Sequence, residues 1–154
     1  MMALRNLTLG GTVLVTDKDM PKMVLLQRTR DFSVAANTVT AADVLQMVNV
    51  PAGFLAMGVL VETQTVEWST STPCQVGDGA DTDGWLTTAM CNLNSTSTDV
   101  CNSTSAYGAM NAGRGKFYPV ADTIDVIPNN ALDAAKVRVG VWGFAADPGN
   151  DTAH

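Results

Sequence analysis

Asp43-Val-Leu-Gln-Met-Val-Asn-Val-Pro-Ala-Gly-Phe-Leu-Ala-Met-Gly-Val-Leu-Val-Glu-Thr-Gln-Thr-Val-Glu-Trp68 reads as two β-strands and the turn that joins them. Val44, Leu45, Met47, Val48 and Val50 form an apolar, β-branched-rich run that stops at Pro51-Ala52-Gly53. Proline cannot donate to a sheet ladder, and glycine supplies the dihedrals a tight turn requires. After the turn, Leu55, Met57, Val59 and Val61 recur at every second position, and Thr63 and Thr65 continue that face. This is the period of a strand with one side in a core. A helix would need spacings of three and four, and Gly58, Thr63 and Thr65 would weaken it.

Working outward, Met23–Gln27 reads as a strand that ends at the charged Arg28-Thr29-Arg30-Asp31, and Phe32–Val39 carries a fainter strand pattern. Pro73–Val76 is short and runs into Gly77-Asp78-Gly79-Ala80-Asp81-Thr82-Asp83-Gly84, a pure turn composition. Lys116–Val120, Thr123–Ile127 and Lys136–Phe144 restore the sheet; in the last, Val137, Val139 and Val141 alternate with Lys136 and Arg138. Between them, Thr87–Gly113 is rich in Ser, Thr, Asn, Gly and Ala. A structureless loop of that length is uncommon in a compact domain, so it either holds a short element or is ordered by a neighbouring subunit. Eight or nine short strands with turn-rich joints predict an all-β sandwich of jelly-roll-like type. The expected organisation is an extended N-terminal arm at 1–22 carrying a short apolar strand at Thr12–Val15, a sandwich domain at 23–146, and a polar C-terminal tail at 147–154.

Composition agrees. A chain of 154 residues fits one domain, which buries roughly 68–70% of its unfolded surface and folds without metal or disulfide. The formal charge is −6, and Glu62 and Glu67 are the only glutamates. The remaining acid is aspartate, which favours turns and caps over helices. No Lys or Arg occurs between Asp31 and Gly113, so a continuous basic face for DNA or RNA is not expected. Val44–Val61 is uncharged, but Gln46, Asn49, Pro51 and Gly53 interrupt it, and a strand–turn–strand fits better than a membrane helix. Met1-Met2-Ala3-Leu4-Arg5 is not followed by the long apolar segment of a signal peptide, so synthesis in the cytoplasm is expected. Cys74, Cys91 and Cys101 are an odd set without a Cys-x-x-Cys pair, which favours thiols over a Cys91–Cys101 bridge and gives zinc little support.

Chemistry-bearing motifs are few. His154, the single histidine, is the last residue of the chain and is a poor base for a serine or cysteine nucleophile. Asp78, Asp81 and Asp83 offer oxygens for calcium in a glycine-rich turn, but their spacing departs from the EF-hand pattern, and turn aspartates more often cap their own backbone. Gly113-Arg114-Gly115-Lys116-Phe117 lacks the earlier glycine and the Ser or Thr of a phosphate loop. Trp68, Trp85 and Trp142 suit a sandwich core or a subunit contact more than a sugar platform. Asn6-Leu-Thr8, Asn94-Ser-Thr96, Asn102-Ser-Thr104 and Asn150-Asp-Thr152 match glycosylation sequons, as chance matches do in such composition. No enzyme activity, cofactor or metal is expected.

The order Val24-Leu-Leu-Gln-Arg-Thr-Arg-Asp-Phe32, Ala42-Asp-Val-Leu-Gln-Met-Val-Asn-Val-Pro-Ala-Gly53 and Val76-Gly-Asp-Gly-Ala-Asp-Thr-Asp-Gly-Trp-Leu86 resembles small virion proteins of tailed bacteriophages, as do Gly115-Lys-Phe-Tyr118, Ala121-Asp-Thr-Ile-Asp125 and Ala134-Ala-Lys-Val-Arg138. The resemblance spans Val24 to Phe144 and implies a jelly-roll-like subunit, often a homotrimer, that decorates or cements the outside of the head. The partners it implies are the major capsid protein and further copies of the chain, with no nucleic acid and no membrane. The Thr87–Ser105 insertion departs from that pattern. On this reading Arg5, Leu7, Leu9, Val13, Val15, Lys18 and Lys22 of the arm, with Arg114, Lys116 and Trp142, are the expected subunit or capsid contacts. The other reading is a virion appendage, a lectin-like, carbohydrate-binding module using Trp85, Trp142 and the Asp78–Asp83 turn, with or without calcium.

Overall fold

The computed structural model describes residues 23–67, 72–102 and 115–145, with backbone alone at Cys101 and Asn102. The expected arm with its Thr12–Val15 strand, Trp68, Arg114 and the tail with His154 lie outside the described residues. Eight strands follow in chain order: β1 (Met23–Asp31), β2 (Leu45–Val50), β3 (Phe54–Thr65), β4 (Cys74–Gly77), β5 (Thr98–Asn102), β6 (Lys116–Tyr118), β7 (Asp122–Pro128) and β8 (Lys136–Ala145). The described residues form an all-β sandwich of two antiparallel sheets.

The front sheet runs β1–β8–β3 and is completed by β5 and β6, which share the far edge of β3. β6 pairs with Phe54–Ala56 and β5 with Gly58–Glu62. The back sheet runs β2–β7–β4, and Leu86 bridges to Val76 on the free side of β4. The turn that opens the quoted stretch works as its composition requires. Gly53 sits at φ 79°, a left-handed conformation costly for other residues, and its N–H donates to the Tyr118 carbonyl at 2.7 Å.

Between the sheets, Phe54, Ala56, Val59 and Val61 of β3 and Val137, Val139 and Val141 of β8 are buried. They face Leu45, Met47, Val48 and Val50 of β2 and Ile124 and Val126 of β7 within one core cluster. Trp85, Leu86, Tyr118 and Leu132 close the ends of that cluster. Each large side chain sealed here contributes about 1.5–3 kcal/mol by leaving water.

Two expectations are revised and one open choice is resolved. Leu55, Met57, Val59 and Val61 do not share a face: Val59 and Val61 are fully buried, whereas Leu55 and Met57 are half-buried on the opposite side from Phe54 and Ala56. The cause is a bulge. Ala56 pairs with Gly143 and Gly58 with Trp142, so Met57 is an extra residue that shifts the inward set from even to odd positions. Phe32–Val39 is not a strand; it contains a 3-10 turn at Ala35–Asn37, and only Val39 makes a bridge, to Leu132. Asp31 anchors this segment locally: its carboxylate accepts from the Ser33 N–H at 3.0 Å and hydroxyl at 2.6 Å, and its backbone carbonyl accepts from the Asn37 side-chain amide at 2.8 Å. The Thr87–Gly113 region does hold a short strand, β5.

Candidate interaction surfaces

The bulge in β3 determines what the front sheet shows to the outside. Register aligns Met23 of β1 with Phe144 of β8, Phe144 with Leu55 of β3, and Leu55 with Phe117 of β6. These four apolar side chains form one row across four strands. The next row brings Leu25 against Trp142, with Met57 beside it. A third aligns Gln27, Gly140, Leu60 and Val100. Gly140 leaves room there: a Cβ on it would lie 3.2 Å from Leu60 Cγ and 3.3 Å from Leu25 Cδ1, so the two leucines lean over its backbone.

Exposure on this face is high for such residues, at 69% for Met23, 51% for Leu25, 55% for Phe117 and 41% for Val100. Toward the other end the same face turns polar. Thr29, Arg138, Glu62 and Thr98 are aligned, Arg138 Nε lies 2.6 Å from Glu62 Oε2, and Lys136 pairs with Asp31 in register. The front sheet is therefore amphipathic along its strands, apolar where β1 begins and β8 ends, and charged where β1 ends and β8 begins. Large contiguous apolar patches on protein surfaces are typical of interaction sites.

Of the expected contact residues, Trp142 lies half-buried on this outer face. Lys116 reaches toward the turn after β4. Its ammonium pairs with the carboxylate of Asp78 and sits 5.0 Å from the centroid of the Tyr118 ring. Asp78 is only 1% exposed. Its Oδ1 accepts from the N–H groups of Ala80 at 2.9 Å and Asp81 at 3.2 Å, and its Oδ2 accepts from the Tyr118 hydroxyl at 2.8 Å as well as from Lys116. Tyr118 in turn receives the Trp85 indole N–H at 3.3 Å. Burial opposes ionisation of Asp78, but the donors from Lys116, Tyr118 and Ala80 prevail and hold its carboxyl below the ordinary value. Burial, with the Asp78 charge beside it, pushes the Tyr118 phenol well up.

This network is a structural clasp. It ties the turn after β4 to β6, and both oxygens of Asp78 are engaged with protein donors. The sugar platform has lost two of its parts in consequence: Trp85 is fully buried and Asp78 points inward, on the core side of the sheet whose outer face carries Trp142. Among the described residues no cluster of three or more His, Cys, Asp and Glu is arranged to hold a metal ion. No helix among them is long and apolar enough to cross a membrane.

The outer apolar face went unread in the sequence apart from Trp142. Its signal was present: Phe54-Leu-Ala-Met-Gly-Val-Leu-Val61 is continuously apolar rather than alternating, as a strand covered on both faces would be.

The described residues thus define a class of fold, a two-sheet antiparallel sandwich with one apolar outer face. No protein-family model and no curated protein sequence matches the chain. Solved structures do. The fold is similar to that of a chain in the cyanophage Pam1 capsid asymmetric unit, with a TM-score of 0.63 and 18% identity over 94% of this chain and 100% of that one. It is also similar to a chain in the capsid of Ralstonia phage GP4, at 0.58 and 8% identity over 84% and 88%. A third is a chain in the acidic stable capsid structure of Helicobacter pylori bacteriophage KHP30, at 0.55 and 15% identity over 83% and 92%. At these identities the likeness is one of fold.

Proposed function

We propose that this protein is a structural subunit of a phage virion, a homotrimeric decoration or cement protein that binds the outer surface of the head and stabilises the shell. One observation carries the reading. The Pam1 capsid chain is matched over its whole length by nearly the whole of this chain, so the two chains share one plan. A match to one lobe of a large shell subunit would have left most of that subunit uncovered.

Strand order supports the same reading. β1 to β4 alternate between the sheets, as do β6 to β8, and with β5 set aside the order β1–β8–β3–β6 over β2–β7–β4, with Leu86 beyond β4, is compatible with a jelly roll. The physics of a cement suits such a domain. Symmetry repeats each modest contact across the shell, and linked contacts multiply in effect. The arm, Met1–Lys22, is assigned to a neighbouring subunit or the shell, where each backbone hydrogen bond it adds would give about 0.5–1.5 kcal/mol net. The partners are then the major capsid protein and further copies of the chain.

The test is reconstitution. The purified protein should run as a trimer in multi-angle light scattering and rebind heads stripped of it, raising the temperature at which they release DNA. Deleting Met1–Lys22 should sharply lower occupancy. A monomer that neither sediments with heads nor protects them would overturn the proposal.

A further inference from the structure

We infer that the apolar end of the outer front-sheet face is the seat of the Met1–Lys22 segment of a second copy of this chain, so that neighbouring subunits are fastened arm to face. The inference rests on the self-association proposed above and names the surface that performs it.

The seat is the row Met23, Phe144, Leu55 and Phe117 with Leu25 beside it. Leu25 and Phe117 are each more than half exposed, and between them in register lie Trp142, Phe144 and Leu55. The occupant is written in the chain itself. Leu7, Leu9, Val13 and Val15 fall on odd positions of Asn6–Thr16, with Gly11 between them, while Asn6, Thr8, Thr12 and Thr16 fall on even ones, where Leu14 is the one large apolar residue. An extended stretch with that pattern has one apolar face and one mainly hydroxyl-bearing face. Its apolar side matches what the sheet leaves uncovered, and its threonines suit the water side.

Chain geometry selects the neighbour's face over the segment's own. β1 runs from Met23 toward Asp31, away from the apolar row, so the described chain enters the sheet at its apolar end. Met20 precedes Pro21, a position steered to extended backbone. If extended in that direction, the eight steps from Met23 back to Val15 would span about 26 Å beyond the start of β1. A neighbouring subunit's face is within that reach.

The experiment uses the free full-length protein. A benzophenone amino acid replaces Leu9, normal chains are mixed with heavy-isotope chains, and photocross-links are mapped by mass spectrometry. Heavy-to-light links from position 9 to peptides bearing Leu25 or Phe117 are expected. Leu25→Ser with Phe117→Ser should remove those links and weaken self-association tenfold or more, as judged by sedimentation. Leu7→Asp with Leu9→Asp should do the same from the arm side, with residues 23–145 unaltered. Links confined to one chain, links to other surfaces, or an oligomer indifferent to both double variants would overturn the inference. The parent proposal is tested separately on stripped heads: protein that links arm to face yet ignores heads sinks decoration alone, and protein that binds heads without such links sinks this inference alone.

Discussion

The carboxylate of Asp78 and the ammonium of Lys116 form an ion pair in which the aspartate side chain is fully enclosed and the lysine side chain retains 25% exposure. The pair joins the Asp-Gly turn after β4 to β6, whose Phe117 stands on the outer apolar row, and so connects the clasp to the proposed seat. Asp78→Asn leaves Lys116 and Tyr118 facing a neutral group. Because Lys116 is partly hydrated, the cost should fall somewhat below that of a fully buried pair, at about 2–4 kcal/mol. Lys116→Met should cost less than Asp78→Asn, since Tyr118 and two backbone N–H groups still serve the carboxylate. The double variant should lose less than the sum of the singles in urea unfolding; strict additivity would mean the pair is not coupled.

Acid stability follows from three other carboxylates together with Asp78. Glu67 is fully buried, and its Oε2 accepts the N–H groups of Asp133, Ala134 and Ala135, each at 3.1 Å. Burial opposes its charge, but those donors prevail and lower its folded-state pKa, as Asp78's is lowered. A lowered carboxylate stabilises the fold above its unfolded pKa, and that contribution is lost as pH falls through the folded value. Asp99 and Asp125 shift upward, chiefly by burial, so they bind protons more readily when folded and take stability away as pH rises through their window. The melting temperature should therefore rise modestly on acidification from neutrality and then drop below about pH 4. Glu67→Gln should flatten that final fall while lowering stability at pH 7. An unchanged acid limb would show that Glu67 carries none of it.

How much of this was legible in the residues depends on the kind of signal. Pro51-Ala52-Gly53 announced its turn because Gly53 must take a positive φ, and Val137, Val139 and Val141 announced a core face because no bulge interrupts β8 there. β3 was harder. One extra residue at Met57 exchanges the inner and outer sets, and alternation counted through a bulge assigns half the strand to the wrong side. The clasp was illegible for a different reason: Asp78 and Lys116 are 38 residues apart, and only the β3–β6 register brings them together. Glu67 was noted as one of two glutamates, but nothing in the chain foretold the three backbone donors that converge on it.

The bulge gives a paired test on two glycines of one strand. A Cβ on Gly143 would stand 2.0 Å from the Leu55 carbonyl oxygen and 2.9 Å from Ala56 Cα, both backbone atoms of β3. Gly143→Ala must push β8 off β3 where Met57 is looped out, at a cost of about 3 kcal/mol or more. On Gly140 the nearest atoms are the side-chain ends of Leu60 and Leu25, no closer than 3.2 Å, and these can swing aside toward solvent. Gly140→Ala should stay within about 1 kcal/mol of the parent, and it also reduces the unfolded chain's freedom. Equal losses in denaturant titrations would contradict the close approach at the bulge.

Thiol chemistry examines the other edge of the sandwich. Cys74 and Cys91 are both free and fully buried, and the Cys74 N–H donates to the Cys91 carbonyl at 3.0 Å. The neighbouring Cys74 thiol and burial push the Cys91 pKa well up, so the reactive thiolate is scarce as well as enclosed. A disulfide-exchange reagent should therefore reach these two sulfurs only through unfolding, at a rate about a thousandfold or more below that of an open thiol. In a timed titration, Cys74 and Cys91 should stay unlabelled in buffer, both should appear within minutes in strong urea, and peptide mapping should assign them. Prompt labelling of either in buffer would mean that the segment joining β4 to β5 opens without the rest of the fold. The ladder between Cys74 and Cys91 would then be a gate instead of a wall.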